Sequence, residues 1–377
     1  MATWPISRKT AITGIGSTPM ARRAEQSLGG YATDAALAAI EDAGLKREQI
    51  DGYIGCPGAP NAAAMHADGI DEVSSGFMVG ALGLKNPRWV LDIHGLPTAA
   101  VAVAAQAVAS GQCNYALVVR AMYNPVGVRY EQVSSELAAG PGQFVLPYGL
   151  AGAGGRHAHW LQWYMHHYGA TREELFTVVK TGREHAQRNP IAYWRGKDLT
   201  LQDYMNARWI YEPMCLFDCD IPVTAAGALV ITTAERARDL RQRPAFISGV
   251  ATSTEAADAV FDAAGIGRKD VGVGQIYDGF SHFVWYWLEQ LGFCGPGEAH
   301  SYVQNGRIGM GGELPLNTFG GSRGEGRRHG FGHVREAAYQ IMGRAGERQV
   351  PDAKHCVVAV GVGVPGNIST YLMLSGE

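Results

Sequence analysis

The stretch from Val90 to Ser110 limits the possible folds more than any other part of the chain. Val90-Leu91-Asp92-Ile93 reads as an apolar strand and His94-Gly95 as a tight turn, and a helix is predicted from about Thr98 to Ser110 with Pro97 in its first turn. Between Ala99 and Ala105 this helix contains only alanine and valine. It has no polar face and must be covered on all sides. Such a helix needs a layer above it and a layer below it, and His94, at the bend, is expected to face a buried pocket.

Around this element strands and helices alternate. A helix is predicted near Tyr31 to Ala43, a short strand at Gly52 to Ile54 and a further strand at Tyr115 to Arg120, which is the rhythm of an α/β fold with covered sheets. Thr10-Ala11-Ile12-Thr13-Gly14-Ile15-Gly16 resembles Ala245-Phe246-Ile247-Ser248-Gly249-Val250-Ala251, each a buried strand closed by glycine. The repeat points to an internal duplication, with halves at 1–240 and 241–377. From about Met122 to Asp218 the rhythm gives way to aromatic and glycine-rich sequence with amphipathic pieces at Trp160 to His167 and Arg172 to Gln187, read as an inserted loop domain over the active site. The second half resumes with Val230 and Ile247. From Gln275 to Leu291, residues Phe280, Phe283, Val284, Trp287, Leu288 and Leu291 fall on one helical face, and strands at Cys356 to Val362 and Ile368 to Leu374 close the chain.

Composition narrows the function classes. The 377 residues, 46% of them hydrophobic, suffice for a large core, and a net charge of -3 offers no basic surface for a nucleic acid backbone. The six cysteines contain no CxxC pair, which suits reduced thiols in a cytoplasm. Cys215 and Cys219 lack a second ligand pair and are read as packing residues. His329 and His333, four residues apart, lack a third ligand, so no metal is expected. No signal peptide and no run near the ~20 apolar residues of a membrane span is visible, so a cytoplasmic enzyme is expected.

Several blocks, taken in order and spacing, carry a family resemblance over essentially the whole chain. The duplicated halves, the elbow helix, the insertion, Phe217-Asp218-Cys219-Asp220-Ile221-Pro222, Tyr277-Asp278-Gly279-Phe280, Asn317-Thr318-Phe319-Gly320-Gly321 and the glycine-rich end at 361–366 resemble the thiolase superfamily. The nearest branch is the thiolase-like lipid-transfer proteins, which include bacterial steroid side-chain aldolases. The resemblance implies a duplicated five-layered αβαβα fold with an inserted loop domain. It also implies a homodimer, a separate small partner protein with zinc-ribbon and OB-like parts, and a coenzyme A thioester substrate, with CoA entering only as part of that substrate and no intrinsic cofactor.

The departures from the family pattern concern chemistry. His94 stands where thiolases carry the nucleophilic cysteine, Tyr277 where they carry Asn or His, Arg327 where the histidine of Gly-His-Pro falls, and Gly361 where the second cysteine falls. Thiolysis through an acyl-cysteine is excluded. A retro-aldol cleavage of a β-hydroxyacyl-CoA needs the same thioester enolate and no nucleophile. The aldolases of this branch are thought to use tyrosines, one of which matches Tyr277. The second lies in a Glu-Gly-Tyr-x-His-Gly context that here reads Glu325-Gly326-Arg327-Arg328-His329-Gly330. Tyr277 is therefore the first acid/base candidate, with its pKa expected to be lowered by Arg327, and His94 or His329 is the candidate for a second proton transfer. The substrate-binding candidates are Asp278, which is also expected to order a turn or cap the following helix, and Gly320, Gly321, Gly361 and Gly363, which are expected to let backbone approach the substrate closely. A non-catalytic acyl-CoA or lipid-binding scaffold, and an acyltransferase with an unusual base, are the alternatives.

Overall fold

A computed structural model describes residues 4–57, 67–124, 143–148, 150, 152–254 and 257–376. The first half contributes β1 (Thr10–Ser17), α1 (Leu28–Asp42), β2 (Gly52–Pro57), α2 (Ser75–Leu82), β3 (Trp89–Asp92), α3 (Pro97–Ala109) and β4 (Tyr115–Met122). The insertion follows with α4 (Gly152–Tyr168), α5 (Arg172–Gln187), α6 (Leu201–Met205), β5 (Trp209–Tyr211) and β6 (Met214–Cys215), and the half closes with β7 (Ala225–Thr233) and α7 (Ala234–Arg238). Residues 125–142 of the expected insertion lie outside the described residues. The second half holds β8 (Ala245–Ser253), α8 (Asp258–Ala264), β9 (Val273–Ile276), α9 (Phe283–Gln290), α10 (Ala299–Tyr302), α11 (Gly321–Gly324), α12 (Phe331–Met342), β10 (His355–Gly361) and β11 (Ser369–Ser375).

The strands run in the order β3-β2-β4-β7-β1-β8-β11-β10-β9, and β1 meets β8 through only two residue pairs, Ala11 with Phe246 and Ile12 with Ala245. On either side of that seam the pattern repeats. β7 lies antiparallel between β1 and β4, which is parallel to β2; β11 lies antiparallel between β8 and β10, which is parallel to β9. Helices α3 and α12 touch strands of both halves and each other, whereas α1 covers the far face of the first half and α8 that of the second. The result is five layers, αβαβα, and the apolar α3 lies in the middle one, where its lack of a polar face requires it to be.

The duplication extends to single residues. Thr13 and Ser248 are each skipped in the ladder as a bulge, and each side chain turns back to a carbonyl of the neighbouring strand, Val230 in one half and Met373 in the other. The glycine that follows each bulge allows a helix to touch the sheet. A Cβ on Gly14 would lie 2.3 Å from the Ala39 carbonyl oxygen of α1, and one on Gly249 would lie 2.6 Å from that of Val260 in α8.

Two expectations are corrected here. Gln275 to Leu291 is not one helix: β9 ends at Ile276 and α9 begins at Phe283. The helical spacing misleads because a short strand buried on both faces is as apolar as a buried helix; β9 pairs with β10, and residues 283–288 of α9 are all buried. His94 is exposed rather than buried. Its turn follows β3, the edge strand, where Val90 and Leu91 are exposed at 40% and 38%.

Gly14→Ala is expected to cost at least about 2 kcal/mol because its methyl would meet backbone. Gly80→Ala, at a helical position with nothing within 4 Å of the new methyl, is expected to stabilise by about 0.5–1 kcal/mol. Denaturant midpoints of the two variants check the opposite signs.

Candidate active site

The site forms where the end of β9, the segment around α11 and the start of α12 meet β4. Asn317, held at a left-handed φ of 50°, uses its side-chain amide as a substitute strand: Oδ1 accepts from the Ile276 N–H and Nδ2 donates to the Ile276 carbonyl. This fixes the residue that follows. The Tyr277 N–H donates to the Ala359 carbonyl at 2.8 Å, its own carbonyl accepts from the Trp287 indole at 2.8 Å, and only 6% of the residue is exposed. Its hydroxyl folds over Gly279, where a Cβ would come within 2.7 Å of the oxygen.

Asp278 does structural work beside it. The carboxylate accepts from the Ser322 N–H at 2.7 Å and from His333 Nε2 at 3.1 Å, and Arg323 Nε lies 3.4 Å away. Burial pushes its pKa up, but the His333 hydrogen bond, Arg323 and the Ser322 N–H outweigh it and hold the carboxyl below its ordinary range. Gly321 has a φ of 68°, and a Cβ there would strike Asp278 at 2.0 Å, while Gly320, at 98°, packs on Ala186 of α5. These glycines let α11 approach the carboxylate and the insertion. Gly361 and Gly363 make the same kind of close contact with Ser369 and Phe283 at the start of the β10–β11 connection.

The segment after α11 carries the charge. Arg327 N–H donates to the Ile221 carbonyl, and its Nε lies 3.8 Å from the Asp220 carboxylate. Arg328 is 2% exposed and bonds to the Ser17 hydroxyl and the Thr18 carbonyl, so neither arginine is a solvated loop residue. Glu325 is fully buried between Arg335 and Arg328, with Asn189 donating to it at 2.7 Å. Burial raises its pKa, but Arg335 and then Arg328 outweigh that and hold it low. His329 sits at a left-handed φ of 48°, with Gly326 before it and Gly330 after it also at positive φ.

His329 and His333 do not converge on one point. His329, ahead of α12, meets an Arg120 nitrogen at Nδ1, whereas His333, inside the helix, meets Asp278; their rings flank Tyr277 at 5.8 and 5.7 Å between centroids. The ring neighbours of Tyr277 are thus His329, His333 and Phe283, and His94 is not among them. Among the described residues no group of three metal-ligating side chains is found.

The electrostatics reverse one expectation. Arg327 does lower the Tyr277 pKa, as does Arg120, but burial and the negative charge of Asp220 push it the other way and win, so the phenol lies well above its ordinary value. The hydroxyl keeps its proton at neutral pH. His329 is driven well below the ordinary imidazole value, first by burial and then by Arg120 and Arg327. Arg120 and Asp220 are the members that sequence reading missed. The signal for Arg120 was a lone charge in the apolar run Leu117-Val118-Val119-Arg120-Ala121-Met122; Asp220 gave none beyond its place in the Phe217–Pro222 block.

Five layers, duplicated sheets and a buried polar centre at the ends of β4 and β9 define a thiolase-fold protein. The match of residues 232–375 to the Thiolase C-terminal domain-like family agrees with this. Over 96% of this chain and 98% of the relative, it is 34% identical to the 17-hydroxy-3-oxo-4-pregnene-20-carboxyl-CoA lyase of Mycobacterium tuberculosis. It is 33% identical to the steroid side-chain-cleaving aldolase of Thermomonospora curvata over 94% and 95% of the two chains. A solved structure described as an Ltp2-ChsH2(DUF35) aldolase superposes with a TM-score of 0.87 at 31% identity, covering 98% of both chains. The chain belongs to the thiolase superfamily, in the branch that holds carbon–carbon lyases of the steroid side-chain aldolase kind rather than cysteine-dependent thiolases.

Because Asp278 and Glu325 are both held below the ordinary carboxylate range, their contribution to stability is complete above about pH 4.5 and is lost as the pH falls through their folded values. The thermal midpoint is expected to hold from about pH 7 to 8, to start falling below about pH 6.5 as the neutral buried His157, His185, His282 and His329 refuse the proton they bind when unfolded, and to fall more steeply below about pH 4. Glu325→Gln, which leaves two buried guanidinium groups under-compensated, is expected to cost about 3 kcal/mol at pH 7 and to flatten the acid slope.

Proposed function

We propose that this protein is a retro-aldol lyase that cleaves the Cα–Cβ bond of a β-hydroxyacyl-CoA thioester, with a CoA ester of a steroid side chain as the substrate class. The observation that carries this reading is the state of Tyr277: a buried phenol kept protonated beside two arginines. Sulfur chemistry has no support in the same place. Cys56, whose carbonyl accepts from Arg120, is 2% exposed and its thiol is pushed up to about 11, by burial above all.

In this reading Asp220, the carboxylate with the largest influence on Tyr277, takes the β-hydroxyl proton. The Cβ–O bond becomes a carbonyl, the Cα–Cβ electron pair moves into the thioester as an enolate, and the cationic site stabilises the developing charge. Tyr277 then gives its proton to Cα, and Asp220 returns the abstracted proton to the phenolate. Arg327 takes an electrostatic part where the aldolases carry a second tyrosine. No resident cofactor is required, and CoA enters as part of the substrate.

The likeness to an aldolase named with a DUF35 component supports a small separate partner of that kind, the zinc-ribbon and OB-like subunit expected from the family resemblance. The exposed edge of β3, with Val90 and Leu91 uncovered, supports a homodimer built across that strand. Among the described residues no helix is long and apolar enough to cross a membrane, and a cytoplasmic location is part of the proposal.

Tyr277→Phe is expected to lower carbon–carbon cleavage at least about 1000-fold while leaving thioester binding within about threefold, measured by product analysis with the partner present and by CoA-ester titration. Full turnover in that variant would reject the reading in favour of a binding scaffold. Arg327→Tyr, which restores the aldolase pattern, tests the role of the cation: a gain in rate marks Arg327 as a weaker substitute for tyrosine, and a loss marks it as a stabiliser of the enolate.

A further inference from the structure

Arg120 lies near the end of β4 and is 3% exposed. Its Nη1 donates to the Cys56 carbonyl at 2.7 Å, its Nη2 lies 2.9 Å from His329 Nδ1 and 3.0 Å from Met122 Sδ, and its Nε has no partner. The charges that act on it are those of Cys56, Arg327 and Tyr277. A guanidinium has five donors and no acceptor, and it stays protonated in proteins. In the contact with His329 the imidazole must therefore accept. An N–H at Nδ1 would point at an N–H, so the ring proton belongs on Nε2.

We infer that Arg120 is a positioning residue that locks His329 in its neutral Nε2–H tautomer, making the imidazole a permanent hydrogen-bond donor beside the Tyr277 ring. In the retro-aldol reading, on which this role rests, the Nε2–H holds the thioester oxygen as it becomes an enolate, while the Tyr277 hydroxyl delivers its proton to Cα. A doubly protonated ring would put a third cation between Arg120 and Arg327, and a ring protonated at Nδ1 would lose the contact at 2.9 Å. The same lock removes His329 as a general base, because its one lone pair is spent on Arg120.

The backbone agrees with a fixed ring. His329 is held in the left-handed region immediately before Gly330, and a Cβ on Gly330 would strike Val360 at 2.4 Å, so the chain enters α12 in a conformation set by its packing. The residue is not fully buried, and its ring's edge contact with Tyr277 is nearly perpendicular, at 85°. The charged and titratable groups that face it are Arg120 from β4, Arg327 from the segment before α12 and Tyr277 from the end of β9.

The test uses the full chain labelled with nitrogen-15 histidine, with the His329 signals assigned by their loss in His329→Gln. The expected spectrum has a protonated Nε2 and an unprotonated Nδ1, unchanged from about pH 5.5 to about pH 8. A His329 that titrates in that range, or that carries its proton on Nδ1, overturns the inference without any change at Arg120. Arg120→Met is expected to release the ring into a tautomer mixture that titrates, and Arg120→Lys, also a pure donor, to restore the lock.

The enolate role is read separately, as exchange of the Cα hydrogens of acetyl-CoA or propionyl-CoA in deuterium oxide, which needs no aldol partner. Arg120→Met is expected to slow exchange about 100-fold with KM within about threefold, and Arg120→Lys to recover part of the rate. Equal exchange in wild type and Arg120→Met overturns the role. A locked histidine in a wild-type protein that neither exchanges nor cleaves thioesters would uphold the lock and reject the retro-aldol reading instead.

Discussion

The Asp278 carboxylate ties together the pieces from which the site is made. One oxygen accepts from the Ser322 N–H of α11 and from His333 of α12, and the other faces Arg323 of α11, so both helices are fixed against a single buried charge that follows β9. Such a charge is tolerated only where hydrogen bonds and cations surround it. Tyr277 is its neighbour in sequence. The phenol inherits a fixed position from the knot beside it; a side chain at 321 would fill the space the carboxylate occupies, and one at 320 would strike Ala186 of α5.

The scaffold beneath this knot is built on close approach. Glycine follows a bulge in both β1 and β8 so that helix carbonyls can reach the sheet, and alanine dominates α1 and α3 for the same reason. Thin layers leave room for two central helices between the half-sheets. Those layers bring the end of β4 in the first half against the end of β9 and the start of α12 in the second, and only there does Arg120 meet His329. The site belongs to neither half alone.

Its chemistry follows from which charges lie within reach. Two arginines approach Tyr277 and His329, yet the phenol is not ionised and the imidazole is not protonated, because burial opposes charge on both and Asp220 offsets the cations at the phenol. In the proposed reading, an uncharged phenol and imidazole inside a cationic shell suit a substrate that becomes negative during reaction. It differs from a nucleophile site, where a lone pair must be exposed and activated.

Much of the fold was legible in the sequence, because period and composition report burial directly. The α3 helix begins at Pro97, α5 spans Arg172–Gln187, and β8 repeats the glycine-closed pattern of β1. The Tyr277 block and the glycine pairs were legible for the same reason: their residue types are unusual for their surroundings. What the sequence could not supply was exposure and pairing. His94 looked buried because an apolar strand and helix flank it, but the strand lies at the edge of the sheet. Arg327 looked like the group that sets the phenol's pKa until Asp220 and the depth of the site entered the balance. Arg120 lies 209 residues from His329 in sequence, and no periodicity connects them. Pattern along a chain fixes which faces avoid water; which charge faces which ring depends on distances that exist only after the layers have packed.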